Sequence, residues 1–237
     1  MKKIYLILLL LVENLLSPVR AAVPVANIQV AGNIAPPTCI INGGNDDLLY
    51  SLGNFSPSLT TNNNLYILPA LSNPLTVSCD AETYLTFRAT DAYENPDMII
   101  IGTESPFSRF TTFNLVNTED TTQQVGGIAF RLTSATVDGQ KAYVSRANDS
   151  PDNTSYNSPT ALQKNVTVGW TSTEQRGVAL EELDLLAGKI FTTTVVVRNT
   201  DNRSYILPNN ILIANGIDIS GRTDFIGQAI LTFKFSI

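Results

Sequence analysis

The chain has 237 residues, of which 43% are hydrophobic and 15% charged, with a formal net charge of −6 and no histidine. That much apolar material is enough for one large core and excludes a disordered chain. The missing histidine removes the commonest general base and the commonest metal ligand, and the acidic balance makes nucleic acid and anionic membrane poor partners.

Residues 1–21 read as a signal peptide, with Lys2 and Lys3 before an apolar run at 4–12 and small or apolar residues at Val19 and Ala21. Cleavage is expected after Ala21, with a cut after Ala22 fitting nearly as well. The run is too short to span a bilayer, being followed at once by Glu13 and Asn14. Its removal leaves 12 basic and 20 acidic residues, a net charge of −8. Residues 27–39 (NIQVAGNIAPPTC) alternate with apolar positions at Ile28, Val30 and Ile34, the period of a strand with one buried face. Pro36 and Pro37 close that ladder because proline has no N–H to donate. Cys39 follows, and the second cysteine is Cys79, in the alternating run 74–81 (PLTVSCDA). Two cysteines in an exported chain imply a disulfide. Without histidine or a CxxC pair, a thiol metal site is the poorer reading.

The predicted elements continue as short strands. Residues 48–55 (LLYSLGNF), 65–71, 75–79 and 84–89 read as strands, with a tight turn over 80–83 and polar loops at 56–64 and 91–97. Residues 98–101 are a short apolar run, and 110–116 and 127–134 read as strands flanking an acidic loop at 117–124. Asp138-Gly139 is a hairpin turn with 142–144 returning. Residues 146–159 read as a long exposed loop, and 165–170 as a strand. Residues 178–187 (VALEELDLLA) carry helical spacing and Gly188 as a stop, so one short helix is expected there. Residues 190–198 are rich in β-branched side chains. A turn at 200–202 and short strands at 205–207 and 211–213 precede a long terminal strand over 225–237. On that strand Ala229, Leu231, Phe233, Phe235 and Ile237 share one face. About ten to thirteen short strands with little helix predict an all-β sandwich or barrel, without an internal linker or repeat.

Three stretches together carry a resemblance: residues 28–39 (IQVAGNIAPPTC), 74–79 (PLTVSC) and the alternating terminal strand. With them the chain resembles the pilin-type subunits of chaperone–usher fimbriae. It is most similar to a branch of fimbria-like secreted proteins classed under a domain of unknown function. That branch shares the pattern G-x-I-x-P-x-x-C (32–39), LTVxC, a segment like 125–139 (VGGIAFRLTSATVDG), a tryptophan such as Trp170, and a KxFT segment like 189–197. The likeness covers most of the chain after the leader.

The resemblance implies an immunoglobulin-like Greek-key β-sandwich of pilin type, with an open groove beside the C-terminal strand. The groove would be lined by Ala229, Leu231, Phe233, Phe235 and Ile237. A periplasmic chaperone fills such a groove transiently, and the N-terminal extension of the next subunit then replaces it by strand addition. The contact is head-to-tail and gives a filament. Here the donor strand would be residues 22–31, with Val23, Val25, Ile28 and Val30 as anchors. The two pairs are out of phase, so a regular strand presents only one of them unless a bulge intervenes. Residues 32–237 would form the single pilin-like domain. The chain departs from the pattern at Ser236, where such pilins carry a penultimate tyrosine, and at Asp224, where they carry a glycine. With no separate domain ahead of the pilin-like opening, the chain resembles a shaft or minor subunit. The expected partners are the chaperone, an outer-membrane usher and other subunits, with a host receptor or glycan as ligand, and the expected place is the cell surface. The resemblance implies no cofactor and no nucleic acid.

Two other functional classes compete with this one. Catalysis would have to rest on acidic pairs such as Glu181 and Glu182, or Asp97 and Glu104, which are more often solvated surface, so no enzyme is expected. A free-standing lectin-like adhesin would use Trp170 or Tyr143 to stack on sugar, though a lone tryptophan in a sandwich is usually core. Sequons beginning at Asn54, Asn148, Asn153, Asn165 and Asn202 are expected by chance in so Asn/Ser/Thr-rich a chain. Asp46, Asp47 and Asp91 show no calcium-loop spacing.

Overall fold

Ser72–Asp91 is one continuous strand of 20 residues, and both layers of the fold pair to it. In chain order the strands are β1 (Cys39–Ile41), β2 (Tyr66–Ile67), β3 (Ser72–Asp91), β4 (Thr112–Asn117), β5 (Gln124–Val137), β6 (Gln140–Lys141), β7 (Tyr143–Ala147), β8 (Thr167–Thr171), β9 (Arg176–Val178), β10 (Ala187–Val197), β11 (Tyr205–Ile206), β12 (Phe225–Ile226) and β13 (Ala229–Phe235). Helices are short: α1 (Phe107–Thr111) and α2 (Asn209–Ala214), with single 3-10 turns elsewhere. The structure is a computed structural model, and it describes residues 29, 35–60, 63–100, 107–150, 160–218 and 220–235. Met1–Ala35 and Pro36–Ile237 are two separate units, and the fold set out here is that of the second. The expected signal peptide, the anchors Val23, Val25, Ile28 and Val30, and Ile237 lie outside the described residues.

The chain is all-β, as its pattern predicts. One layer runs β1, first half of β3, β10, β5; the other runs β13, second half of β3, β8, β7, β9. The turn expected over 80–83 is absent. β10 pairs with 72–78 and again with 83–84, and its register shifts between Gly188 and Ile190. The extra residues of β3 bulge outward instead, and a bulge bends a strand without ending it. Asp80 is held in the ladder, its N–H bonding the Thr38 carbonyl at 3.0 Å and its Oδ1 accepting the Thr38 N–H at 2.9 Å. The odd positions therefore face inward on both sides of the bend: Leu75 and Val77, then Leu85, Phe87 and Ala89.

Trp170 joins the layers. It is fully buried, lies edge-on to Phe191 at 5.5 Å and tilted to Phe87 at 5.7 Å, and donates its indole N–H to the Thr192 carbonyl at 2.8 Å. It cannot stack on a sugar. The Cys39–Cys79 disulfide is formed, and the two residues sit directly opposite in register with Cα atoms 4.0 Å apart. It fastens the short edge strand β1, which has only three residues of ladder. The described ladder begins at Cys39 rather than ahead of it, because Pro36 and Pro37 supply no donors.

Other expectations are corrected by tertiary pairing. The helix predicted over 178–187 does not form. Arg176–Val178 is drawn into a parallel pairing with β7, Leu186 N–H bonds the Trp170 carbonyl, and β10 begins at Ala187, leaving only a 3-10 turn at Leu180–Glu182. Residues 211–213 are helix, not strand, since α2 starts behind Pro208 and buries Leu212 alone among its residues. Residues 146–147 belong to β7 and are buried, not loop; Arg146 bonds Gln163 in the interior. The terminal strand is broken at Gly227, where a side chain would meet the Asn114 carbonyl at 2.8 Å and Leu115 at 2.5 Å. That close approach lets the chain cross from β4, which β12 pairs, to β3, which β13 pairs. The Asp138-Gly139 turn is present, with φ of 50° and 77°. Its return is only two residues long before the chain leaves to pair with β8.

Two predictions follow from these joints. Reducing Cys39–Cys79 should cost about 4 kcal/mol in the chain-entropy picture, read as a lower denaturant midpoint with a steeper slope, because the reduced denatured chain is more expanded. Asp149 accepts from Thr167 N–H and Oγ1 at 2.9 and 2.6 Å and pairs with Arg88. Burial alone would raise its pKa, but these Thr167 and Arg88 contacts outweigh it and hold the carboxyl below its ordinary 3.8. Its contribution is therefore present above that value and lost as pH falls through the lower folded one. Asp149→Asn should be less stable than the parent at pH 7, with the gap closing below pH 4 in parallel urea melts.

Candidate functional site

β13 is an edge strand. Among the described residues it pairs only with β3, from Ala229↔Asp91 to Phe235↔Leu85. Its alternation is that of a strand with one inward face. Ala229, Leu231 and Phe233 are half-buried and packed against the core, with Phe233 5.5 Å from Phe87, while Ile230, Thr232 and Lys234 are exposed. The inner row is not sealed as the inner rows of β3 and β10 are. Beside it lies an open cleft of about 1240 Å³, larger than the range of about 300–1,000 Å³ usual for small-molecule sites.

The wall of the cleft is the inner row of β13, and its floor comes from the core faces of β3, β5 and β10 through Leu75, Ile128, Phe130 and Val195. Leu212 and Ile217 close the end near α2. Of the groove residues expected from the sequence, Ala229, Leu231 and Phe233 line the cleft. Phe235 pairs with Leu85 but is not part of the lining, and it is 36% exposed.

Residues 46–56 complete the lining and form its cover. They include the stretch expected to be a strand, and they are extended without being one. Leu48, Tyr50, Leu52 and Phe55 turn inward onto the core, and Leu49 is 80% exposed. Among the described residues, the main chain of 45–55 makes no hydrogen bond to the main chain of any strand. Side chains hold it instead. The Tyr50 hydroxyl donates to the Val195 carbonyl at 2.8 Å, and Asn73 Nδ2 donates to the Leu49 carbonyl at 2.8 Å. Phe55 stacks on Phe225 at 6.0 Å and tilts onto Tyr66 at 4.9 Å, and Tyr50 meets Phe130 at 5.6 Å. Gly53 has φ of 74° and shifts the inward phase between Leu52 and Phe55. Burial pushes the Tyr50 hydroxyl up to about 12, against a smaller lowering from the Asn73 main chain. The alternation of this stretch was visible in the sequence, but nothing there showed that it would lie unpaired over a cleft.

A second cavity of about 320 Å³ is polar, lined by Asn95, Asp97, Asp120, Thr122, Gln123 and Gln124 with Ile99 and Asn215. Its polar groups already serve each other. Gln124 Oε1 accepts the Ile99 N–H at 2.7 Å, and Asp120 Oδ1 accepts both the Thr122 hydroxyl and its N–H. Those Thr122 bonds lower the Asp120 pKa. Among the described residues no aromatic ring lines it. Among the described residues no three metal-ligating side chains converge, and no helix is long and apolar enough to cross a membrane.

No known family model matches the chain, and no curated protein matches it.

Tyr50 gives the cover a pH signature. Its proton is held to about 12 in the folded chain, against 10.0 for a free tyrosine. The stability this proton supports is present below pH 10 and is lost as pH rises toward 12. Tyr50→Phe should cost about 1 kcal/mol at neutral pH for the lost hydrogen bond. It should also show a shallower fall in stability than the parent between pH 10 and 12, read from denaturant midpoints across that range.

Proposed function

We propose that this chain is a structural subunit of a surface fimbria, supporting adhesion and assembled by exchange of donor strands between subunits. The observation that carries the proposal is the inner row of β13, apolar, half-buried and facing an open cleft along a strand edge that is unpaired among the described residues. An edge of this kind templates pairing with another chain, and a cleft this large, with an apolar wall and floor, invites an extended peptide rather than a small molecule.

The order of the strands supports the finer fold. The layer β1–β3–β10–β5 follows the A-B-E-D order of an immunoglobulin-like sheet, and β13 beside the second half of β3 takes the place of F beside C. The strand G that would flank F is absent among the described residues. On this reading the fold is a pilin-type sandwich short of its last strand. The missing strand comes first from a periplasmic chaperone and then from residues 22–31 of the next subunit, through Val23, Val25, Ile28 and Val30. The outer-membrane usher and the other subunits are then the remaining partners, with a host receptor or glycan as the ligand of the finished fibre. The signal peptide at 1–21 exports the chain through the periplasm to the surface. A lectin-like module has less support, since Trp170 is wholly buried and, among the described residues, no aromatic ring lines the polar cavity.

The test is electrophoresis, without boiling, of material sheared from cells that make either the full chain or one lacking residues 22–31. A boiling-sensitive ladder from the full chain that vanishes with the deletion is expected. A single monomer band from both would overturn the proposal.

A further inference from the structure

We infer that residues 46–56 are a displaceable cover of the groove, and that residues 22–31 of a second copy of this chain are the segment that drives them out. The inference rests on the donor-strand reading and adds a competitor to it that is built into the same domain.

The first argument is how the cover is held. Leu48, Tyr50, Leu52 and Phe55 fill part of the cleft, yet the main chain of 45–55 makes no ladder among the described residues. Among the described residues the outer edge of β13 is left unpaired. An incoming strand gains the same apolar contacts and adds main-chain hydrogen bonds to that edge, so it has a bonding term the cover lacks.

The second argument is a likeness of pattern. The inward residues of the cover advance by two, two and then three positions, with the odd step taken at Gly53, whose φ is 74°. The apolar residues Val23, Val25, Ile28 and Val30 advance by two, three and two. The cover and residues 22–31 are alike in carrying four apolar side chains with one change of phase, although the change falls at a different step in each. A regular strand cannot do this without a bulge, and the groove already holds one segment that breaks phase.

The third argument is what the cover prevents. Without it the floor at Leu75, Phe130 and Val195 would meet water beside an open edge, which is the combination that aggregates. With the cover in place these residues are buried in the unassembled subunit. Among the described residues its hold on the core is a tyrosine hydroxyl, an asparagine amide and the apolar side chains of Leu48, Tyr50, Leu52 and Phe55.

The test uses the purified full-length chain carrying a spin label at Leu49→Cys, a position that is 80% exposed and outside the packing, and a synthetic peptide of residues 22–31. The expected result is saturable binding of the peptide with a parallel rise in label mobility, and neither with a scrambled peptide. Tyr50→Phe, which removes one hydrogen bond of the cover, should tighten peptide binding about fivefold, and Leu52→Ala should act in the same direction. Peptide binding with no change at the label and no effect of either variant would overturn the cover while leaving the donor-strand reading intact. Equal binding by the scrambled peptide would overturn residues 22–31 as the specific occupant. Failure of the peptide to bind the parent and both variants would overturn the cover together with the reading beneath it.

Discussion

Both layers of this fold are paired to one strand, and that strand bends. β3 gives its first half to β1 and β10 and its second half to β13 and β8. Ordinarily two layers of a sandwich are joined by loops and by contacts across the core. Here a continuous backbone carries the chain from one to the other, with the bulge at the bend left exposed. The inward parity is preserved through the bend, so Leu75, Val77, Leu85, Phe87 and Ala89 feed one core. The disulfide sits at the last inward position before the bulge and fixes β1 to it. Trp170 and Phe191 then close the space between the layers.

The same arrangement produces the site. β3 has a partner on each side, and β13 is the outermost strand on one of them. The long strand β5 extends past β10 to pair with β4 and β11, which leaves the core faces of Ile128 and Phe130 to be buried by side chains such as Tyr50 rather than by a paired strand on the side of β13. The cleft is thus the gap between an edge strand and a floor that reaches beyond it. Residues 46–56 lie across this gap with apolar side chains inward. Proteins usually blunt an exposed edge with charge, proline or a covering loop. Here Lys234 points outward on β13 and the loop covers the groove rather than the edge, so the edge keeps its pairing capacity.

Most strand positions were legible because alternation is a local signal. Ile190 to Val197, Leu75 to Cys79 and Leu231 to Phe235 read correctly because each pleats against one buried face. The signal failed where the partner decided the conformation. VALEELDLLA has helical spacing, but β7 and β8 pair with its ends and leave one turn. LLYSLGNF alternates as a strand does and packs its alternate side chains as a strand does. No neighbour offers it a ladder, so it is not one. FIGQAILTF reads as unbroken, and only the approach of Asn114 and Leu115 to Gly227 shows why it must be interrupted. Arg146 and Ala147 read as the start of a polar loop, yet strand pairing buries both.

By itself the sequence determined the fold class, the cysteine pair and the inward face of the last strand. Each depends on residue type at a fixed period or on a redox state, and needs no knowledge of neighbours. The tertiary structure alone decided that β3 runs unbroken through two layers, that the inner row of β13 is left half-open, and that residues 46–56 lie over it. Those are facts of pairing between segments far apart in the chain. Pairing is settled by which edges and faces compete for one another, and a single stretch of sequence does not carry that competition.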